Sequence, residues 1–308
     1  MEYSLVKKDI LAVLTYFDLF NYPLRKGEIF IFLNQCDNMD EFEKALDNLI
    51  HECIVFRIGH FYSVCNNYTL ANRRTLGNER ARFLLKKAER AASIISFFPF
   101  VKGVAVSGSL SKNFADDKAD IDFFIITAAN RLWIARTCLH LMKKIAILFN
   151  KQDLFCMNYF VDESDMVIQE KNIYTAVEVS TILPLRGVNI FEHFFRENNW
   201  IRKYFPNKYL NNSVAAELKG NPAKTAVEWI CRGRAGDILD DYLMNLTAKR
   251  WNAKTAGGKK NRKGLILSMG IGKHFSKPNP ENFQKRLLQR FEKNLAENYR
   301  RLELSGYF

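Results

Sequence analysis

The chain of 308 residues contains no run of about 18 apolar residues, which excludes a membrane-spanning helix by composition. Its first residues, Met-Glu-Tyr-Ser-Leu-Val-Lys-Lys-Asp, lack the basic-then-apolar pattern of a secretory signal. Cys36, Cys53, Cys65, Cys138, Cys156 and Cys231 never fall in CxxC spacing, and the histidines at 51, 60, 140, 193 and 274 show no metal-ligand spacing. Reduced, buried thiols in a cytoplasmic protein are therefore expected, and a zinc site is not. There are no internal repeats. What is present is a normal-to-rich apolar content, 48% hydrophobic and 13% aromatic, enough for a sizeable core and too much for extensive disorder.

Acidic residues are in deficit, and the net charge is +13. The imbalance is local. Residues 249–303 hold 15 Lys or Arg against 4 Glu, and a second cluster runs from Arg73 to Arg90. Such asymmetry suits a polyanion, so 73–90 and 249–303 are the candidate nucleic-acid contacts. A soluble helical face that happens to be basic explains the same charges, and the aromatic-basic interleaving of single-strand binders is missing.

Three domains are expected. Residues 1–68 read as three helices and a hairpin: "SLVKKDILAVLTYFDLF" with Ser4 as N-cap, "NYPLRKGEIFIFLN" with Pro23 at its start, "NMDEFEKALDNLIHE" capped near Asn38 or Asp40, and "CIVFRIGHFYSV" turning at Gly59. That order is winged-helix-like. Its third helix carries Asp40, Glu41, Glu43, Asp47 and Glu52 against Lys44, a composition that repels phosphates and favours a structural role over DNA reading.

Residues 69–170 open with a basic linking helix (69–98) stopped near Pro99, followed by strand, turn, strand, helix and strand, an α+β core with a small mixed sheet. Residues 171–308 read as a helical C-terminal domain. It comprises a helix to Pro184, one from 188 to Pro206, one long helix over 223–251, an exposed basic loop and a last helix from Pro280.

The chemistry concentrates in "SGSLSKNFADDKADIDFFIIT", residues 107–127. Alternation on a strand places Asp120 and Asp122 on one face. A buried charge needs a counter-charge, and paired carboxylates suit Mg²⁺ shared with substrate phosphates. Gly108 allows close backbone approach, and Ser109 offers a hydroxyl and an amide to a phosphate.

A Gly-Ser turn, ten intervening residues and an Asp-x-Asp pair on the next strand resemble the signature of the DNA polymerase beta-like nucleotidyltransferase superfamily. The likeness covers about residues 101–162. It implies metal-dependent transfer of a nucleoside monophosphate from an NTP to a hydroxyl acceptor, with Mg²⁺ or Mn²⁺ on Asp120 and Asp122. Gly108, Ser109 and Lys112 would then serve the triphosphate. The family's third carboxylate falls at Asn158, whose amide oxygen coordinates weakly and accepts no proton. Glu178 is the expected substitute acid.

"DIDFFIIT" followed by "RLWIAR", behind "LAVLTYFDLFNYPLRKGEI", further resembles a bacterial set of proteins that join a winged-helix-like segment to this core. In that likeness Arg131 and Arg136 are phosphate contacts or plain helix residues. Two alternatives to the enzyme stand beside it. One is a nucleotide-binding regulatory protein with little or no turnover, and the other is a DNA-binding regulator.

Overall fold

A computed structural model describes residues 2–117, 119–148, 155–208, 215–218, 220–260, 266, 268–278 and 283–305. The N-terminal part is built from α1 (Glu2–Asp18), α2 (Lys26–Ile31), α3 (Met39–His51) and the hairpin β1 (Phe56–Ile58) and β2 (Phe61–Ser63). Helix α1 begins ahead of Ser4, which therefore lies inside the helix and does not cap it. Pro23 also precedes its helix. Leu24 instead bridges to Tyr62, and α2 starts after Arg25, whose amide donates to Glu28 at 2.8 Å. In α3 the side chain of Asn38 accepts from the amides of Asp40 and Glu41, and Phe42, Ala45, Leu46 and Leu49 recur at helical spacing on the buried face.

The chain continues through α4 (Thr69–Ser96), β3 (Val101–Val106), the single turn α5 (Gly108–Ser111), β4 (Asp122–Thr127), α6 (Leu132–Leu148) and β5 (Cys156–Asp162). After these come α7 (Ile173–Ser180), β6 (Leu183–Arg186), α8 (Val188–Glu197) and a 3-10 turn at Asn199–Lys203. The remainder is α9 (Pro222–Ile230), α10 (Gly233–Ala256), β7 (Met269–Ile271), β8 (Phe275–Pro278) and α11 (Phe283–Ser305).

Six strands form one mixed sheet in the order β6-β3-β4-β5-β8-β7. Only β4 and β5 pair in parallel, as a crossover through α6 requires; the other neighbours are antiparallel. Alternation sorts the central strand onto two cores. Phe123 and Ile125 pack with Ala88 and Ala92 of α4 and with Trp133 and Leu139 of α6. Phe124 and Ile126 face the other way, into a core shared with Phe191 and Phe194 of α8 and continuous with the N-terminal helices.

The expectation of a purely helical chain beyond residue 171 is corrected in three places. Leu183–Arg186 is a strand, and Pro184 sits opposite Ala105 on the sheet edge, where its missing N–H disturbs no second neighbour. The segment around Gly272 is a hairpin, β7-β8, that extends the sheet beyond β5. The single helix over 223–251 is broken at Arg232, where the backbone is extended, and α10 starts at Gly233 with φ +67°. Pro280 and residues 261–265 of the basic loop lie outside the described residues.

Candidate active site

The Gly-Ser turn and the aspartate pair meet at one end of the sheet. Strand β3 stops at Val106, and the Ser107 amide still donates to the Asp122 carbonyl at 2.9 Å. The chain then turns at Gly108 with φ +69°, a conformation costly for residues with a side chain. A Cβ at Gly108 would lie 2.9 Å from Asp122 Oδ2, so glycine is required both for the backbone and for the approach of that carboxylate. Ser109 follows on the exposed first turn, and Ser111 Oγ closes the turn onto the Gly108 carbonyl at 2.9 Å.

Ladder pairing in β4 begins at Asp122, so Asp120 lies in the exposed segment just before the strand and not within it. Ile121 between the aspartates is 1% exposed, which keeps the alternation that turns both carboxylates away from its core. Asn158 reaches Asp122 because β5 carries an irregularity there: Phe123 pairs with Met157, while Phe124 pairs with Tyr159. The skipped residue is Asn158. Its amide Nδ2 donates to Asp122 Oδ1, and the Cys156 thiol donates to its Oδ1 at 3.2 Å. A carboxylate can only accept, so the amide turns its NH₂ group to Asp122 and its oxygen to the thiol.

Glu178 and Lys112 form a second pair beside the turn. Lys112 Nζ donates to Glu178 Oε1 at 2.8 Å and to the Gly108 carbonyl at 2.9 Å. Lys112 thus fastens α7 to the glycine turn, and its ammonium is already matched by a carboxylate.

Two further residues escaped sequence reasoning. Burial, reinforced by Asp122, pushes the Cys156 thiol up to about 11, while Lys143 opposes the shift and Asp120 adds to it. Cys156 is therefore a neutral hydrogen-bond donor at pH 7 and no nucleophile. Tyr174, one helical turn before Glu178, has its phenol raised well above the ordinary value by burial and then by Glu178 and Asp122. It stays protonated, under the influence of both carboxylates. The i, i+4 spacing of Tyr174 and Glu178 was the available signal, and only the fold places Asp122 near it.

Elsewhere, several of the cations expected to meet phosphate have internal contacts. Arg131 donates to the carbonyls of Cys231 and Gly233 and to Asp237, and it is 8% exposed. Arg136 is 6% exposed over the Trp133 ring, and burial lowers its pKa to about 10. Arg74 is buried against Glu28 at 2.7 Å, Arg73 pairs with Asp116 at 2.8 Å, and Arg80 pairs with Asp117.

The donor set defines what the site can hold. Among the described residues no three His, Cys, Asp or Glu side chains come together as a self-sufficient metal cage. Mg²⁺ does not need one, because it binds through one or two carboxylates and completes its shell with water and substrate phosphates. Asp120 and Asp122 fit that pattern, and Gly108 leaves the cradle open beside them. Compared with family models, curated proteins and solved structures, the chain matches none.

Proposed function

We propose that the chain is a metal-dependent nucleotidyltransferase that moves a nucleoside monophosphate from an NTP to a hydroxyl acceptor. The observation that carries this reading is the approach of Asp122 to Gly108, where a Cβ would meet the carboxylate at 2.9 Å. The left-handed glycine lets the turn's backbone lie against the strand-opening carboxylate, an approach useful where phosphate oxygens and a carboxylate must share one ion. Gly108 and Ser109 then present backbone amides to the triphosphate, and Asp120 and Asp122 hold Mg²⁺ or Mn²⁺. Such an ion, when bound, neutralises phosphate charge and favours in-line displacement.

The protein's own groups do the positioning. Asn158 fixes the Asp122 carboxylate, and Lys112 holds the turn to α7. The acceptor oxygen bonds to the α-phosphorus, the bond to the β-phosphate oxygen breaks, and pyrophosphate leaves. Glu178, brought to the turn by Lys112, is the carboxylate assigned the acceptor's proton.

Pyrophosphate release with each NTP and a panel of alcohols tests the proposal. Asp122→Ala is expected to lower the rate by roughly 10²-fold or more while leaving the melting temperature in place. Unchanged release in both Asp122→Ala and Asp120→Ala removes the assignment.

One observation favours a second reading, nucleotide binding without efficient transfer. Asn158 stands where a proton-accepting carboxylate is expected, and Glu178 is engaged by Lys112. On this reading calorimetry gives Mg²⁺-dependent nucleotide binding with no pyrophosphate, and Asn158→Asp restores release.

A further inference from the structure

A cavity of about 320 Å³ opens where the N-terminal helices meet the sheet-bearing part of the chain. Small-molecule sites begin at about this size. Phe17 and Phe32 line it from the N-terminal side, and Ile182 and Phe195 line it from the other. Three charged side chains also reach its wall: Glu28, Lys112 and Lys208.

Two of these charges are already matched. Glu28 accepts from the buried Arg74 guanidinium at 2.7 Å and from the Arg25 amide at 2.8 Å. Lys112 is held by Glu178 and the Gly108 carbonyl. Lys208 differs. Among the described residues its ammonium makes no hydrogen bond or ion pair, and it lies 5.1 Å from the centre of the Phe32 ring. Burial keeps its pKa below the usual lysine range, with Glu28 opposing the shift and Lys112 adding to it.

The backbone beside Lys208 is anchored. The neighbouring Asn207 donates through Nδ2 to the carbonyls of Cys36, at 2.6 Å, and Phe30, at 3.1 Å. The segment bearing Lys208 is thereby tied to the N-terminal helices. The cavity thus presents an apolar wall, a Glu28 carboxylate already engaged by Arg74, and one ammonium with no hydrogen bond or ion pair among the described residues, a combination that favours an anion over its neutral analogue.

We infer that this cavity binds a small organic anion, a carboxylate or phosphate monoester carried on a flat apolar body, with Lys208 as its counter-ion. The inference does not rest on the nucleotide reading: Gly108, Ser109, Asp120 and Asp122 do not line the cavity.

Isothermal titration of the full chain with 2-naphthoate, the neutral 2-naphthamide and 2-naphthyl phosphate tests it. An anion is expected to bind saturably and about tenfold or more tightly than the amide, a charged hydrogen bond's worth of preference. The tighter of the two acids identifies the head group. Lys208→Met keeps the apolar stem and is expected to abolish the preference for the anion. Equal affinity of the native chain for amide and acids, or undiminished acid binding in Lys208→Met, overturns the inference, as does a lack of saturable binding by either acid. The native-chain comparison holds even where the variant folds poorly.

Discussion

Asp240 of α10 is 2% exposed, and its Oδ1 accepts the Ile134 amide in the first turn of α6 at 2.9 Å. Burial nevertheless wins over that hydrogen bond and over the Trp133 amide and Arg131, so its pKa is pushed up to about 6 from 3.8. A raised folded-state pKa means that the native chain binds the proton more tightly than the unfolded chain does. The associated stability is complete below pH 3.8 and is lost as the pH rises through about 6. Asp240→Asn keeps a carbonyl oxygen for the Ile134 amide without the charge. It is expected to flatten the pH dependence between pH 4 and 6.5 and to raise the melting temperature at pH 7.5 by roughly 2 °C or more. Melting curves at several pH values measure this, and an unchanged slope in the variant assigns the pH dependence to other groups.

At the scale of elements, the break between α9 and α10 is built from a close approach. A Cβ at Gly236 would meet the Cys231 carbonyl at 1.9 Å and the Arg131 guanidinium at 2.9 Å. Arg131 needs that space to bond the Cys231 and Gly233 carbonyls. Gly236→Ala should therefore destabilise the chain by about 2 kcal/mol or more despite alanine's higher helix propensity. Urea denaturation gives the value, and a stabilised variant contradicts the clamp.

The same element shows what sequence reasoning can reach. The helical period of 223–251 was legible, but the break was not, because its cause is an arginine about a hundred positions earlier, Arg131 to Cys231. Strands β6, β7 and β8 are three or four residues long and too short for alternation to register, and the partners of β6 and β8, β3 and β5, are distant in sequence. Pro184 read as a helix stop, but α7 ends earlier, at Ser180, and Pro184 belongs to the edge strand. Within the candidate site, spacing put forward Gly108 and Asp122, and the family resemblance put forward Asn158. The orientation of the Asn158 amide was not, since it depends on the irregularity in β5 and on the Cys156 thiol.

For the whole molecule, the last helix completes the first. Phe291 of α11 is 8% exposed with its ring 5.9 Å from that of Tyr16, and the buried Asn298 donates to the Thr15 hydroxyl at 2.9 Å. The apolar core shared by the N-terminal helices and one sheet face includes Phe291, so the three expected domains share one interior. Phe291→Ala is expected to cost about 3 kcal/mol, felt by the whole transition and not by α11 alone. Coincident urea curves by circular dichroism and tryptophan fluorescence support this, whereas an early separate loss of helix would show α11 docking independently.

That closure has a consequence during synthesis. Thr15 and Asn298 are 283 positions apart, so α1 leaves a ribosome long before the helix that covers it. At about 5–20 residues per second, the Tyr16 side of α1 waits roughly a quarter of a minute to a minute for its partner. For that interval a nascent chain carries a bare aromatic helix face, which makes α1 the place where a chaperone would be expected to hold it.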